Sequence, residues 1–374
     1  MSKSKAIKQA PGRKTRVLFV IPTLRGGGAE RVMVTLLKSL SRTRFELALA
    51  VVDMRGAVFA AELPDDVELV DLGCNRVRDA VPRIVALARA RRPDVLFSTL
   101  GYLNLAIAMA KPLLPRGMRL VARETAIVSQ GILDYPYPRL VKALYRMFYG
   151  SLDRIVCQSE SMLADVAATF GVPHSKMVVI NNPVDLARVR AAAQAPLAQN
   201  DWSAFPVRLV AIGRMNRVKG FDLLLEALAL LNEPGVGLAI LGAGSLEAEL
   251  RAQAGHLGLS ERVHFAGYQT NPYAWIARAD AFVLSSRHEG FPNVVIEALA
   301  CNRPIIATPA QGGTLEILRH YPAVVAREVS APALASAIRT WLEQYEGEAS
   351  AVDVSRYSTD AIAAAYAEVL EERA

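Results

Sequence analysis

Short, nearly unbroken apolar runs alternate along the chain with longer stretches in which apolar residues recur every third or fourth position. Runs at 16–21, 47–52, 67–72, 95–97, 120–122, 155–157 and 177–180 have the length of buried strands. Helical spacing fills gaps between them, at 81–90, 103–110, 138–149 and 159–169. Strands alternating with helices predict a doubly wound parallel sheet covered on both faces. Asn181-Asn182-Pro183-Val184-Asp185 closes this series. The alanine-rich, polar stretch 186–206 shows no strand pattern, so the domain junction is expected there. A second series follows at 208–212, 238–241, 263–265, 281–284, 304–307 and 323–325. Residues from Ser330 onward read as helical, and the last helix, about 360–373, is expected to fold back on the first domain. The reading is an α/β chain with domains at 16–185 and 206–350, and with 357–374 packing on the first.

The totals agree with two domains. At 374 residues and 52% hydrophobic content, the chain is large enough for two cores. The net charge of +7 and pI near 9.4 raise nucleic acid as a partner. No basic stretch is interleaved with aromatics, however, so an anionic small ligand or an anionic membrane surface is the better expectation. Cys74, Cys157 and Cys301 are far apart and suggest neither a metal cluster nor a disulfide framework, which points to a reduced, cytosolic setting. Residues 1–15 form a basic arm with Lys3, Lys5, Lys8, Arg13 and Lys14. The apolar run after it is too short for a signal peptide, and no segment has transmembrane length, so a soluble or peripheral protein is expected. In 138–149, Arg139, Lys142 and Arg146 stand beside Tyr145, Phe148 and Tyr149. That pattern suits a solvated face over a few core aromatics, or a helix lying on a membrane.

Candidate chemistry concentrates in 281–308, which reads strand, helix, strand. Pro292 stands where a first helical residue lies, so the helix N-terminus is aimed at the loop Glu289-Gly290-Phe291. Free N–H groups at such an end favour an anion such as phosphate. Glu289 and Glu297 flank it with seven residues between them, and sugar hydroxyls are the natural donors to both. The loop 213–222 follows the first strand of the second series and carries Arg214 and Lys219, framed by Gly213 and Gly220. Ligands bind beyond the carboxyl ends of strands in open α/β sheets, and two cations there suit a phosphate. Gly242-Ala243-Gly244 repeats the glycine turn after the next strand. In the first series, Gly26, Gly27 and Gly28 separate a strand from a helix, as a ligand contact or as a tight packing turn. A dinucleotide fingerprint is not met there, because Arg31 takes the place of its third glycine. With no D-x-D pattern in a suitable loop, a diphosphate leaving group would be met by Arg214, Lys219 and the helix amides rather than by a metal.

Together the segments GGGAER, GRMNRVKGFD and LGAGS and the pair Glu289-x7-Glu297 resemble family 4 of the retaining glycosyltransferases. The segment from Asn271-Pro272-Tyr273 through Ala279-Asp280 into SSRHEGFPN is similar to bacterial members that build polysaccharides and lipid-linked oligosaccharides. The resemblance covers nearly everything after residue 15 and is strongest at 207–318. It implies the GT-B fold, two facing Rossmann-like domains with a nucleotide sugar held mainly by the second. It also implies retention of anomeric configuration, no metal and no other cofactor. By the same resemblance, Arg214 and Lys219 bind the donor diphosphate, Glu289 the donor sugar and Glu297 the ribose. The amides of Gly290, Phe291 and Asn293 lie beside the phosphates, and Gly26 to Gly28 close over the donor. A UDP-linked hexose or N-acetylhexosamine is the first expectation for that donor, and GDP-mannose the second.

One departure from the family pattern stands out. Many members carry a histidine after the strand that here ends Val121-Ala122, where it touches the donor sugar. This chain reads Arg123-Glu124-Thr125, which leaves Arg123 or Glu124 to take that contact. No residue names the acceptor. The basic arm and the 138–149 helix are compatible with a glycan on a polyprenyl diphosphate at an anionic inner membrane face. Competing readings are an NAD enzyme, against which the imperfect glycine loop speaks, a sugar-nucleotide epimerase, and a non-catalytic sugar-nucleotide binder.

Overall fold

The computed structural model describes residues 13–197, 201–344 and 351–372. Residues 1–12 of the basic arm expected at 1–15, and the few residues at 198–200, 345–350 and 373–374, fall outside that description. The chain divides into two compact units. The first holds residues up to Cys157, Val166–Ile180 and the chain from Ile362; the second holds Gln158–Asp165 and Asn181–Ala361.

The first unit is built on β1 (Thr15–Thr23), β2 (Phe45–Asp53), β3 (Glu68–Asp71), β4 (Val95–Thr99), β5 (Arg119–Arg123), β6 (Arg154–Cys157) and β7 (Met177–Val179). These form one parallel sheet in the order β3-β2-β1-β4-β5-β6-β7. Its helices are α1 (Gly28–Ser39), α2 (Val77–Arg91), α3 (Gly101–Ala110), α4 (Val128–Gly131), α5 (Pro138–Phe148) and part of α6 (Glu160–Phe170). Val17 to Ile21 of β1 are each at most 2% exposed, which is why the strand reads as an unbroken apolar run. Helix α1 covers one face with Val32, Met33, Leu36 and Leu37.

The second unit repeats the design with β8 (Val207–Ile212), β9 (Val236–Leu241), β10 (Val263–Gly267), β11 (Ala281–Leu284), β13 (Ile305–Ala307) and β15 (Ala323–Val325). Its parallel sheet runs β10-β9-β8-β11-β13-β15. Two further strands, β12 (His288–Glu289) and β14 (Gln311–Gly312), form a separate parallel pair. The helices are α7 (Leu186–Ala193), α8 (Phe221–Leu231), α9 (Glu247–His256), α10 (Tyr273–Ile276), α11 (Asn293–Ala300), α12 (Thr314–Leu318) and α13 (Ala331–Gln344). Counted within this unit, the strand order is the 3-2-1-4-5-6 of doubly wound nucleotide-binding sheets, and it reverses direction between β8 and β11.

The last helix, α14 (Thr359–Glu371), returns to the first unit as expected. Tyr366, Val369 and Leu370 enter its core, and Arg119 donates to the Val369 carbonyl at 3.1 Å. The stretch 186–206 corrects the expectation of a junction. Asp185 caps α7 by accepting from the Arg188 N–H at 2.9 Å, and Val189 and Trp202 are each 1% exposed in the second unit's core. The Trp202 indole donates to the Leu209 carbonyl at 3.0 Å, so the segment is bound into that unit. No helix among the described residues is long and apolar enough to cross a membrane.

Candidate functional site

A reversal of winding leaves a crevice at the carboxyl ends of the two strands that flank it. In the second unit those strands are β8 and β11, and the loops that leave them carry the candidate residues. The two loops are fastened to each other. Ser285 donates to the Lys219 carbonyl at 2.8 Å, and the Arg287 N–H to the Val218 carbonyl at 2.8 Å. The Arg287 guanidinium reaches the Arg217 carbonyl at 2.7 Å and grips Asp222 with both arms at 2.8 and 2.7 Å. Burial works against the Asp222 carboxylate, but Arg287 outweighs it and holds the group below the usual carboxylate range.

The central contact is an ion pair. Lys219 Nζ lies 2.6 Å from Glu289 Oε1, with the two side chains 22% and 11% exposed. Ser286 Oγ donates to the same oxygen at 2.6 Å, and Thr308 Oγ1 in turn donates to the Ser286 carbonyl at 2.5 Å. Arg214, on the same loop as Lys219, is exposed and has no ion-pair partner among the described residues. Glu297 lies on α11, half-buried, with the Tyr273 hydroxyl 3.4 Å away. Its charge adds to the burial that pushes the Cys301 thiol up to about 11.

Helix α11 begins one residue later than expected, with Pro292 as its N-cap and no side chain bonded to its first amides. Its opening N–H groups therefore remain available to an anion. Phe291 is 7% exposed with its ring against Tyr357, so only its backbone faces the loop. The Gly290 carbonyl accepts from the Gly313 N–H at 3.1 Å. Asn293 is fixed by its side chain, since Asn182 donates to Asn293 Oδ1 at 2.8 Å. Pattern reading missed Ser286 and Asn182. Each is one of a polar pair, Asn181-Asn182 and Ser285-Ser286, with no period to show which member points to the site.

The glycines sort by what a side chain would meet. A Cβ on Gly242, at φ +136°, would sit 1.9 Å from the Gly213 carbonyl oxygen, and one on Gly244 would sit 2.3 Å from that of Met215. On Gly220, at φ +63°, it would meet the Ser285 carbonyl at 2.1 Å. Gly242 is thus required for backbone packing against the Gly213–Lys219 loop. Gly213 itself lies under the Lys219 side chain, at 3.0 Å. In the first unit, Gly26 has φ +105°, and Gly27 caps α1 with the Glu30 carboxylate beside it. Gly28 has open space around it.

Arg123 and Glu124 do not fit the surface role expected of them. Arg123 is fully buried, donating to the Tyr366 hydroxyl at 3.1 Å and to Thr99 Oγ1 at 3.2 Å. It serves to hold α14 on the sheet and offers no surface to a sugar. Glu124 is 2% exposed, and its Oε1 accepts from Asn104 Nδ2 at 2.9 Å and from the Tyr149 hydroxyl. Burial raises its carboxyl above the ordinary range against the pull of those two donors.

Sequence models of two families match the chain: Glycosyltransferase Family 4 over residues 26–188 and Glycosyl transferases group 1 over 199–360. A Campylobacter jejuni protein named N-acetylgalactosamine-N,N'-diacetylbacillosaminyl-diphospho-undecaprenol 4-alpha-N-acetylgalactosaminyltransferase is 30% identical over 79% of this chain and 81% of its own length. LpsE of Rhizobium meliloti, a lipopolysaccharide core biosynthesis glycosyltransferase, is 31% identical over 76% of this chain and 77% of its own. Among solved structures, Anabaena HepE in complex with UDP shares the two-unit GT-B fold. Its TM-score is 0.71 at 20% identity, with 95% of each chain covered.

Proposed function

The chain belongs to glycosyltransferase family 4, and from that premise we propose that it moves a hexosyl or N-acetylhexosaminyl group from a UDP-sugar to a lipid-linked or lipopolysaccharide glycan. Transfer retains the anomeric configuration and needs no metal. The acceptor class is supported by the names of the Campylobacter and Rhizobium relatives, and the UDP donor by the UDP complex of a protein with the same fold. The α-linked product in the Campylobacter name favours retention, since hexoses are α-linked in their common UDP donors.

The observation that carries the reading is the Lys219–Glu289 pair at the switch point, with Arg214 beside it and the uncapped start of α11. When the bond from the anomeric carbon to the diphosphate breaks, its electron pair stays on the departing UDP. Preorganised cations and amides aimed at that growing charge are the usual largest contribution to such a step. An ammonium has three donors, so Lys219 can hold Glu289 and still reach a phosphate oxygen. Glu289, fixed by Lys219 and Ser286, keeps a second oxygen for a sugar hydroxyl. Thermal unfolding against UDP-, GDP- and ADP-sugars, with and without EDTA, tests this. A ligand at about 100 times its Kd adds about 2.7 kcal/mol. Stabilisation by UDP-sugars, kept in EDTA and lost in Arg214→Ala, is the expected result. A shift confined to another nucleotide, or abolished by EDTA, overturns the donor or the metal-free step respectively.

A further inference from the structure

Seven of the thirteen large hydrophobic side chains left exposed among the described residues lie between Tyr102 and Met147 of the first unit. Tyr102 and Met109 stand seven apart on α3, with Leu113 just beyond its end. Leu140 and Met147 stand seven apart on α5, with Tyr137 at its N-cap and Leu133 in the turn before it. The spacing of seven puts Tyr102 and Met109 on one face of α3 and Leu140 and Met147 on one face of α5, while Leu113, Leu133 and Tyr137 lie in the turns next to them. The two helices are neighbours: a Cβ on Gly101, the first residue of α3, would lie 2.8 Å from the hydroxyl of Tyr145 on α5. Of the eleven residues of α5 only Tyr145 is buried, so the helix is largely uncovered.

Cations accompany the stripe. Arg139 is exposed and Lys142 half-exposed, and neither has an acidic partner among the described residues. Arg146 is tied to the Thr169 carbonyl at 3.0 Å, and Asp134 is the one acid between Val128 and Phe148. From these observations we infer that α3 and α5 dock the protein on an anionic lipid surface, lying along it rather than crossing it. Apolar side chains 43–72% exposed enter the headgroup boundary, two of them tyrosines suited to that depth, while Arg139 and Lys142 meet lipid phosphates. The positive charge of the stripe selects a negatively charged sheet of lipid over a second copy of this chain, which would bring like charges together. The inference stands apart from the donor chemistry, though an acceptor anchored in lipid would be presented at such a surface.

Sedimentation of the full chain with vesicles tests it, using phosphatidylglycerol mixed with phosphatidylcholine against phosphatidylcholine alone at low salt. Expected is co-sedimentation with the anionic vesicles, weakened by added salt. Leu140→Glu with Met147→Glu lowers apparent affinity about tenfold or more, and Arg139→Glu with Lys142→Glu does the same. Leu230→Glu, an exposed leucine of the second unit, leaves binding unchanged. Each variant keeps the thermal midpoint and the UDP-sugar shift of the parent, so a failure here is separable from a failure of the donor assignment. Three results overturn the inference. One is a protein that stays in the supernatant at low salt. Another is binding lost when Lys3, Lys5 and Lys8 become alanine but not when the α5 stripe is charged. The third is a dimer that Leu140→Glu with Met147→Glu splits while vesicle binding persists.

Discussion

Gly242→Ala is the substitution that most directly tests how the candidate site is held together. Gly242 has φ +136°, which alanine adopts only under strain, and its Cβ would stand 1.9 Å from the Gly213 carbonyl oxygen. Real Cβ contacts essentially never fall under 3.0 Å, so the two turns must part by the difference, about 1.1 Å. Gly213 begins the loop that carries Arg214 and Lys219, and Met215 in the same loop is bonded to Ala243 at 3.0 Å. The displacement is therefore passed to both cations. A hydrogen bond to a charged group is worth about 1.5–3 kcal/mol. Misplacing one or both should weaken UDP binding by about 10- to 100-fold, and an error of about 1 Å at the reacting centre can lower transfer by about 100-fold.

Stability is also affected, and a control separates the two effects. Backbone strain of this kind costs about 1–3 kcal/mol, and a domain of about 150–250 residues loses roughly 2–4 °C of Tm per kcal/mol. Gly258, at φ +68°, has nothing within 4 Å of its missing Cβ. Gly258→Ala bears the strain without the collision, so it should lower Tm and leave UDP affinity alone. Calorimetric titration with UDP, alongside thermal unfolding, reads both quantities. If Gly242→Ala binds UDP within about threefold of the parent, a difference under 1 kcal/mol, while remaining folded, then the glycine turn does not position the cations and the reasoning is refuted.

Gly28→Ala should behave in the opposite way. With open space around it at the first position of α1, alanine should raise stability by about 0.4–1 kcal/mol. UDP-sugar affinity should fall if the missing side chain makes room for a ligand, and unchanged affinity would remove Gly28 from the donor site. Glu124→Gln tests the buried carboxyl by pH. Because burial raises its folded pKa, folding favours the protonated form, and the wild-type protein loses stability as pH rises from the ordinary carboxyl value toward the raised one. Glutamine keeps an oxygen for Asn104 and Tyr149, so the variant should melt higher at pH 8, with the gap closing toward pH 4. Parallel melting curves across that range would show that Glu124 carries no buried-charge penalty.

The central strands β1, β4 and β11 were legible because they are buried on both faces and therefore apolar almost without interruption, and the half-buried edge strand β15 also lies where the pattern puts it. The two-residue strands β12 and β14 are too short to leave a periodic trace. Helix α2 starts at Val77, a turn before the apolar pattern suggests, with Pro82 inside it. Proline normally ends or begins a helical reading, so the first turn was hidden. The stretch 186–206 lacked strand periodicity and so resembled a linker, although Asp185 is a recognisable cap and Trp202 a costly residue to leave in water. Arg119 and Arg123 mark the ends of β5 as if they faced solvent. They are buried because α14 supplies their partners some 250 residues later, a distance no local pattern can span.

The candidate residues could be named by type and place in the sequence, but their pairings could not. A glycine between a strand and a helix gives one signal in sequence and at least two meanings in three dimensions: room for another backbone at Gly242, open space at Gly28. The charged residues show the same ambiguity. Sequence assigns Lys219 to a diphosphate and Glu289 to a sugar, as if each waited alone, yet the structure joins them at 2.6 Å with no ligand present. A cation already matched to an acid offers little net charge to an approaching anion, whereas Arg214 is exposed and unmatched among the described residues. The two should therefore contribute differently to donor binding. Arg214→Ala should remove most of the salt dependence of UDP binding, whereas Lys219→Ala should weaken binding with the salt dependence largely kept; equal salt slopes in titrations of the two variants would refute the distinction.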